Sequence, residues 1–141
     1  MSLAQLLQLL TALNQVYQSA HWTSKGGLFY STHLLFERLY NSVNEERDDI
    51  AELALASDEP EDSFYPEAIF KGALQFCQAL PKTNSERVKF AIRLEEQVLE
   101  LVKELSTKKY KDDIAAVNLL AGIAETHKRS NLYLLKQNLK A

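Results

Sequence analysis

Five side chains between positions 21 and 52 are of types that bind transition metals: His21, His33, Glu37, Asp48 and Glu52. His33 and Glu37 are four residues apart, as are Asp48 and Glu52, so each pair shares one face of a helix. At a rise of about 1.5 Å per residue, the two pairs lie roughly 20 Å apart along one helix. Metal–ligand bonds are only about 2 Å long. One chain therefore cannot bring all five to one ion, and a second, antiparallel copy would have to complete the site.

The helix that carries four of these side chains has a separate apolar stripe. Projection at about 100° per residue places the metal-capable side chains together and the apolar stripe roughly a third of a turn away. Asn41 and Asn44 lie in the middle of the metal-capable face. We therefore predict an isologous dimer in which two such helices cross near these asparagines. His33 and Glu37 of one chain would then face Asp48 and Glu52 of the other. Two equivalent sites follow from the two-fold symmetry.

This mixture of ligands narrows the choice of metal. Imidazole and carboxylate groups together suit Fe(II), Mn(II) or Zn(II) better than Ca(II) or Cu(I). The same helix also carries Glu45, Glu46 and Asp49, however, and acidic helix faces are usually only hydrated. Spacing alone leaves two interpretations open, a metal site and a solvated acidic surface.

Composition predicts one soluble domain spanning residues 1–141. The chain is 46% hydrophobic and 25% charged, and its net charge of -3 argues against general attraction to nucleic acid or acidic lipid. Cys77 is the only cysteine, which excludes an intrachain disulfide and favours a reducing cytoplasm. The opening MSLAQLLQLLTAL lacks a basic leader and is predicted to be a helix rather than a signal peptide. We expect a cytoplasmic protein without a membrane span.

The pattern of helix breakers predicts an all-α fold. The three prolines, Pro60, Pro66 and Pro81, share one middle segment, and no stretch shows β-branched alternation. We predict helices over about 2–20, 30–57, 67–79, 83–105 and 112–138. The crossing of roughly 25 residues between the second and third long helices far exceeds a tight antiparallel turn. It predicts a ferritin-like four-helix bundle with a short extra helix between the second and third helices.

The predicted core contains polar residues. Glu95 falls within the apolar stripe of the third long helix, Arg47 borders that of the second, and Lys128 with Asn131 interrupts that of the fourth. Because buried charges persist only when paired, we predict a layer in which Arg47 and Lys128 surround Glu95. His127, at the edge of this stripe, is not expected to bind metal. The side chains expected to face inward from the last helix are Ile114, Val117, Ala121, Ala124 and Leu135.

The run HWTSKGGLFYSTH at positions 21–33, followed by LLFE and then DDIAE, resembles the motif of the Dps family of miniferritins. That motif is a His-Trp pair, a glycine turn, a Phe and a second His twelve residues after the first. An acidic residue follows four positions later, and an Asp/Glu pair lies fifteen and nineteen positions after the second His. All five side chains match these spacings. Position 37 is often Asp in the family, and Glu37 could alter the coordination while keeping the charge.

The resemblance implies a ferroxidase centre shared between two subunits. His21, His33 and Glu37 of one subunit, with Asp48 and Glu52 of the partner subunit, would bind Fe(II), for which Zn or Mn could substitute. Oxidation would be preferentially by hydrogen peroxide, ferric mineral would collect inside a hollow dodecameric shell, and the protein would protect against oxidative stress. By matching position, Glu52 would be the bridging or anchoring carboxylate.

Other parts of the chain leave alternatives open. Trp22 could pack at a helix junction or take part in redox chemistry. The residues at 112–113 could line an acidic pore or simply favour a helix N-terminus. Many Dps proteins bind DNA through a lysine-rich tail, but this chain's first helix begins almost at Met1 and its C-terminal segment has only Lys136 and Lys140, so DNA binding is not expected. The alternative functions are a helical assembly protein with a structural divalent metal at the dimer interface, and a DNA-compacting Dps variant.

Overall fold

The computed structural model describes residues 1–140, which form helices and no strand. In chain order the elements are α1 (Leu3–Thr23), α2 (Phe29–Ala56), a 3-10 turn (Glu61–Phe64), α3 (Pro66–Leu74), α4 (Asn84–Thr107), α5 (Ile114–Glu125), a π-helical turn (Thr126–Leu132) and α6 (Tyr133–Leu139). α5, the π turn and α6 run on without a break and form the fourth long helical segment. The predicted all-α bundle, with a short helix on the crossing between its second and third members, is confirmed. Ala141, the last residue of the predicted domain, lies outside the described residues.

Side-chain caps begin three of the long helices. Ser2 and Gln5 form a reciprocal capping box at the start of α1, each side chain accepting a hydrogen bond from the other's backbone N–H. Thr83 caps α4, and Asp113 caps α5 by accepting a hydrogen bond from a backbone N–H three residues on. These caps confirm the predicted start of α4 and give Asp113 a local structural role.

The C-termini of α1 and α3 differ most from prediction. α1 continues to Thr23 instead of ending near position 20, which places His21 in its last turn. α3 ends at Leu74 instead of position 79, because the N–H groups of residues 75–77 bond to carbonyls three residues earlier and tighten the chain into successive turns.

The core lies where the four long helical segments meet. The predicted inward residues of α1 are all fully buried: Leu3, Leu6, Leu10, Leu13, Tyr17 and Ala20. Phe36, Leu39 and Val43 of α2 are buried beside them, as predicted. Within residues 1–140 no helix is both long and apolar enough to cross a lipid bilayer.

The predicted inward face of the last helix is wrong in its first half. Ile114 is 87% exposed and Ala121 is also exposed, whereas Ala116, Leu120 and Ile123 are buried. α5 is apolar around most of its circumference, so more than one helical phase fits its sequence. Beyond it, the π turn shifts the face that later residues present, because π-helical hydrogen bonds span five residues instead of four.

Glu59 joins three separate parts of the bundle. Its carboxylate accepts hydrogen bonds from the N–H groups of Leu3 at 2.8 Å and Ala4 at 3.1 Å, and the Tyr110 hydroxyl donates to it. Lys109 Nζ lies 3.5 Å from the same carboxylate. Burial alone would raise the pKa of Glu59, but these hydrogen bonds outweigh burial and lower it. The start of α1 is thus tied to the end of α2 and to the loop before α5.

Candidate metal centre

His21 and His33 form a stacked pair between the last turn of α1 and the first turns of α2. Their ring centroids are 3.7 Å apart with an interplanar angle of 21°. His21 Nδ1 lies 2.8 Å from the carbonyl oxygen of His33, and His33 Nδ1 lies 2.8 Å from the carbonyl oxygen of His21. A carbonyl only accepts, so each Nδ1 carries a proton, and Nε2 is the nitrogen of each ring that remains for a metal. Both rings are therefore in the tautomer that binds metal through Nε2.

A tight turn makes this reciprocal arrangement possible. Gly26 has a φ of 90°, in the left-handed region that favours glycine, and the N–H of Phe29 bonds to its carbonyl at 3.0 Å. The turn reverses the chain so that α2 returns antiparallel to α1. His21 and His33, twelve residues apart in sequence, are thereby placed opposite one another.

Aromatic side chains hold the two imidazoles in place. Phe29 stacks on His33 at 5.0 Å, and Tyr40 meets His21 edge-on at 5.5 Å. The backbone carbonyl of Tyr40 accepts a hydrogen bond from Asn14 at 2.8 Å, which ties this part of α2 to α1. Packing and hydrogen bonding of this kind orient a ligand before the metal arrives.

The predicted carboxylates are divided between two places on α2. Glu37 lies one turn after His33 and is half-buried. Asp48 and Glu52 are exposed, and Asp48 lies about 22 Å along the helix axis from His33 at about 1.5 Å per residue. Within the part of the chain that the structure describes, no three His, Cys, Asp or Glu side chains are grouped to hold a metal ion. The single chain thus brings the two histidines together and leaves Asp48 and Glu52 at a distance.

Trp22, beside His21, is 62% exposed. A tryptophan packed at a helix junction of its own chain would be largely buried, so that alternative for Trp22 does not hold within one chain. Its indole is instead available on the surface next to the histidine pair.

A second polar cluster occupies the centre of the bundle, and its members differ from those predicted. Glu95 is fully buried and accepts hydrogen bonds from Tyr17, His127 and Asn131. Lys128 is exposed, and among residues 1–140 neither it nor Arg47 forms an ion pair with Glu95. The predicted layer of Arg47 and Lys128 around Glu95 is therefore wrong.

His127 supplies the positive charge in this cluster. It is fully buried, with Nε2 2.8 Å from Glu46 and Nδ1 bonded to Glu95. Burial alone would lower the pKa of His127, but the hydrogen bonds and charges of Glu46 and Glu95 outweigh burial and raise it to about 10. A protonated imidazole, a donor at both nitrogens, satisfies a carboxylate on each side.

The π turn explains why sequence reasoning misplaced these partners. His127 and Asn131 both lie in the turn and both face the core, whereas Lys128 between them faces solvent. The sequence does contain a signal for the observed partners, namely two polar residues, His127 and Asn131, at a spacing of four. Two such residues on one face of an apolar helix need a buried polar partner. A regular α-helical projection put Lys128 in their place.

Comparison with solved structures finds this fold in Dps proteins of several organisms. The Dps of Thermosynechococcus elongatus superposes with a TM-score of 0.84 at 25% identity, covering 99% of this chain and 90% of that one. The Dps of Microbacterium arborescens in its high iron form gives 0.82 at 18% identity, covering 97% and 89%. The DPS protein of Vibrio cholerae O1, described as a member of a broad superfamily of ferritin-like diiron-carboxylate proteins, gives 0.66 at 20% identity, covering 98% and 86%.

No family model matches the chain, and no curated protein sequence matches it. The likeness to Dps proteins therefore rests on the fold and on near-complete coverage in both directions. The chain thus has the ferritin-like helical fold that these Dps proteins share.

Proposed function

We propose that this protein is an iron-oxidising miniferritin whose metal site is shared across a two-fold dimer interface. His21, His33 and Glu37 of one subunit bind Fe(II) together with Asp48 and Glu52 of the partner subunit. Hydrogen peroxide is the oxidant, and the ferric product collects inside a hollow homo-oligomer, a dodecamer by analogy with the family. The observation that carries the proposal is the reciprocal bonding of His21 and His33, which commits both Nδ1 atoms and leaves both Nε2 atoms for metal.

The ligand chemistry supports iron as the substrate. Imidazole nitrogen and carboxylate oxygen suit Fe(II), and anionic carboxylates favour the additional charge of Fe(III). Of the structural neighbours, the Microbacterium arborescens protein was solved in a high iron form and the Vibrio cholerae protein is described as a diiron-carboxylate relative. Zn(II) or Mn(II) could occupy the same ligands without the same redox chemistry.

Each residue has a distinct part in the reaction. The two imidazoles hold Fe(II) at a fixed place, because their orientation is set by backbone carbonyls and not by solvent. Asp48 and Glu52 supply the negative charge that the ferric product requires, and Glu37 adds a carboxylate on the histidine side. Hydrogen peroxide accepts one electron from each of two Fe(II) ions and, with two protons from solution, becomes two water molecules. Release of free hydroxyl radical is avoided when both electrons are delivered together.

Exposed apolar side chains support self-assembly. Among residues 1–140 of the single chain, six large ones are more than 60% exposed: Trp22, Leu28, Tyr30, Phe70, Leu74 and Ile114. Three belong to the end of α1 and the turn into α2, and two belong to α3. Apolar groups of this size clustered on a soluble protein are typical of interfaces. We propose that further copies of the chain cover them.

A mixed-subunit experiment tests the shared site directly. One chain carries His33→Ala and the other carries Glu52→Ala, and the two are co-expressed with different affinity tags. In a mixed dimer of two shared sites, one site has both defects and the other has none. Random mixing makes about half of the dimers mixed, so about a quarter of all sites are intact. Ferric absorbance after mixing with Fe(II) and peroxide is the measurement.

The controls for this experiment are the two single-variant proteins, which should both be inactive. If each site lay within one chain, every chain of the mixture would be defective and no activity would return. If both single variants oxidised Fe(II) at the wild-type rate, the ferroxidase assignment would fail. Tight Zn(II) binding without iron oxidation would then favour a structural metal at the dimer interface.

A further inference from the structure

The central polar cluster contains a tyrosine that is placed for redox chemistry. Tyr17 is fully buried, and its hydroxyl donates a hydrogen bond to Glu95. Burial and the adjacent carboxylate raise the pKa of Tyr17 well above its ordinary value, so the phenol keeps its proton at any physiological pH. Glu95 also accepts from His127 and Asn131. The two oxygens of Glu95 thus accept three hydrogen bonds. An ionised carboxylate fits this arrangement because it acts only as an acceptor.

A phenol in this setting can be oxidised without a charged intermediate. Loss of one electron makes a phenol strongly acidic, so its proton must move as the electron leaves. Glu95 is already bonded to that proton and can take it over a hydrogen-bond distance. The protonated Glu95 then donates to the tyrosyl oxygen, and His127 with Asn131 continues to hold the carboxyl group. No buried donor or acceptor is left unpaired by the transfer.

The position of Tyr17 connects this cluster to the histidine pair. Tyr17 lies one turn before His21 on α1, which puts their Cβ atoms about 5–6 Å apart. Its ring is 6.0 Å from that of Phe36 on α2, and Phe36 lies one turn after His33. Tyr17 therefore lies one helical turn from His21, on the buried side of α1, and packs near Phe36, which is one turn from His33.

We propose that Tyr17 is a one-electron donor to the oxidant formed when peroxide meets a lone Fe(II) at the histidine pair, with Glu95 as the proton acceptor. This inference rests on the proposed function. The site oxidises iron without radical leakage only when two Fe(II) ions are present together. Tyr17 supplies the missing electron when one Fe(II) is bound.

The electrons and protons balance over three steps. A lone Fe(II) reduces peroxide with one proton to water and hydroxyl radical, becoming Fe(III). The hydroxyl radical takes one electron from Tyr17 and one proton from solution to become water, while the phenol proton passes to Glu95. A later Fe(II) reduces the tyrosyl radical, Glu95 returns the proton, and a second Fe(III) results. In sum, two Fe(II), one peroxide and two protons give two Fe(III) and two waters.

Rapid freezing after mixing provides the test. The full-length protein is loaded with less than one Fe(II) per histidine pair, mixed with peroxide and frozen within its first turnover. Electron paramagnetic resonance should show a tyrosyl radical in the wild type, and Tyr17→Phe should lose it. A spin trap in the same reaction should report more hydroxyl radical from Tyr17→Phe than from the wild type. Glu95→Gln keeps the phenol but removes the proton acceptor, and should also lose the radical.

Tyr110→Phe is the matched control. Tyr110 is likewise buried and donates to a carboxylate, that of Glu59, which binds the N–H of Leu3. Leu3 lies about 27 Å along α1 from His21, so Tyr110 is too remote to intercept an oxidant formed there. The radical should survive in this variant.

The possible outcomes separate the two proposals. If wild type and Tyr17→Phe oxidise Fe(II) but show the same radical spectrum and the same trapped hydroxyl radical, the role of Tyr17 is overturned and the ferroxidase stands. If the wild type oxidises Fe(II) no faster than iron and peroxide in buffer, both proposals fall. Thermal unfolding of each variant shows whether the bundle has remained folded.

Discussion

At the scale of single residues, His127 is the side chain whose charge matters most to the fold. It lies fully buried between Glu46 of α2 and Glu95 of α4 and so joins these two helices to the π turn through one imidazole. Charged groups are costly to bury, and this one is tolerated because both ring nitrogens have carboxylate partners. Tyr17 and Asn131 complete the bonding of Glu95.

This cluster predicts a loss of stability at alkaline pH. The pKa of His127 is about 10 in the folded chain, above its ordinary value of 6.5. Its contribution is therefore fully present below about 6.5 and is lost as pH rises through about 10. The free energy of unfolding, measured with urea between pH 6 and pH 10, should fall more steeply for the wild type than for His127→Gln. At pH 7 the variant should be less stable by about 3 kcal/mol, because it leaves a buried carboxylate uncompensated. Equal slopes for the two proteins would contradict this account.

At the scale of secondary-structure elements, the two acidic residues before α5, Asp112 and Asp113, were predicted either to line a pore or to favour the helix N-terminus. Asp113 caps the helix by accepting a hydrogen bond from the N–H of Ala116 at 3.0 Å. Asp112 is exposed and makes no such bond within residues 1–140. This cap is a sufficient local reason for an acidic residue at position 113, and it does not depend on a pore.

Asp113→Ala should therefore destabilise the chain by about 1 kcal/mol, the usual cost of losing an N-cap. Asp112→Ala removes the same charge one residue earlier and should change the free energy of unfolding by less than about 0.5 kcal/mol. Urea denaturation of the two variants at neutral pH gives the comparison. A similar loss in both would mean that general charge at the helix end, and not the cap, stabilises α5.

The π turn is the other element that shapes the interior. Residues 126–132 depart from α-helical spacing in the middle of an otherwise continuous helical segment. This places His127 and Asn131 inward and Lys128 outward. π turns are rare and are often found at functional positions, which agrees with the chemistry proposed for this cluster.

At the scale of the whole molecule, α2 carries both halves of the proposed site on one surface. The histidine end and the Asp48–Glu52 end are too far apart to meet within a chain, so the crossing of two α2 helices decides whether a site exists. Asn41 is exposed near the expected crossing, whereas Asn44 already accepts a hydrogen bond from Asn14 at 3.2 Å. Asn41 is thus the better position at which to disturb the dimer.

Asn41→Arg should weaken the dimer because two like charges would face each other across the two-fold axis. We expect smaller species in sedimentation and a loss of metal binding in calorimetry, although every ligand is intact. Gln97→Arg adds the same charge on the exposed face of α4 and should leave both unchanged. Full metal affinity in a monomeric Asn41→Arg protein would show that one chain suffices.

Local patterns in the sequence were enough to predict the helices, the crossing with its short helix, and the fully buried stripe of α1. They also predicted that His33 shares a face of α2 with Glu37, and Asp48 with Glu52, because side chains four residues apart share a helix face whatever surrounds them. That Asp48 and Glu52 of one chain meet the histidines of another across a dimer interface stays a prediction.

Tertiary structure decided the rest. The left-handed turn at Gly26 set the mutual hydrogen bonds of His21 and His33, which no spacing rule contains. The π turn gave Glu95 the partners His127 and Asn131 in place of the predicted cations. Sequence periodicity assumes a regular helix and describes the faces of one helix at a time. The partner of a buried charge depends instead on which side chains of several packed helices lie within hydrogen-bond distance of it.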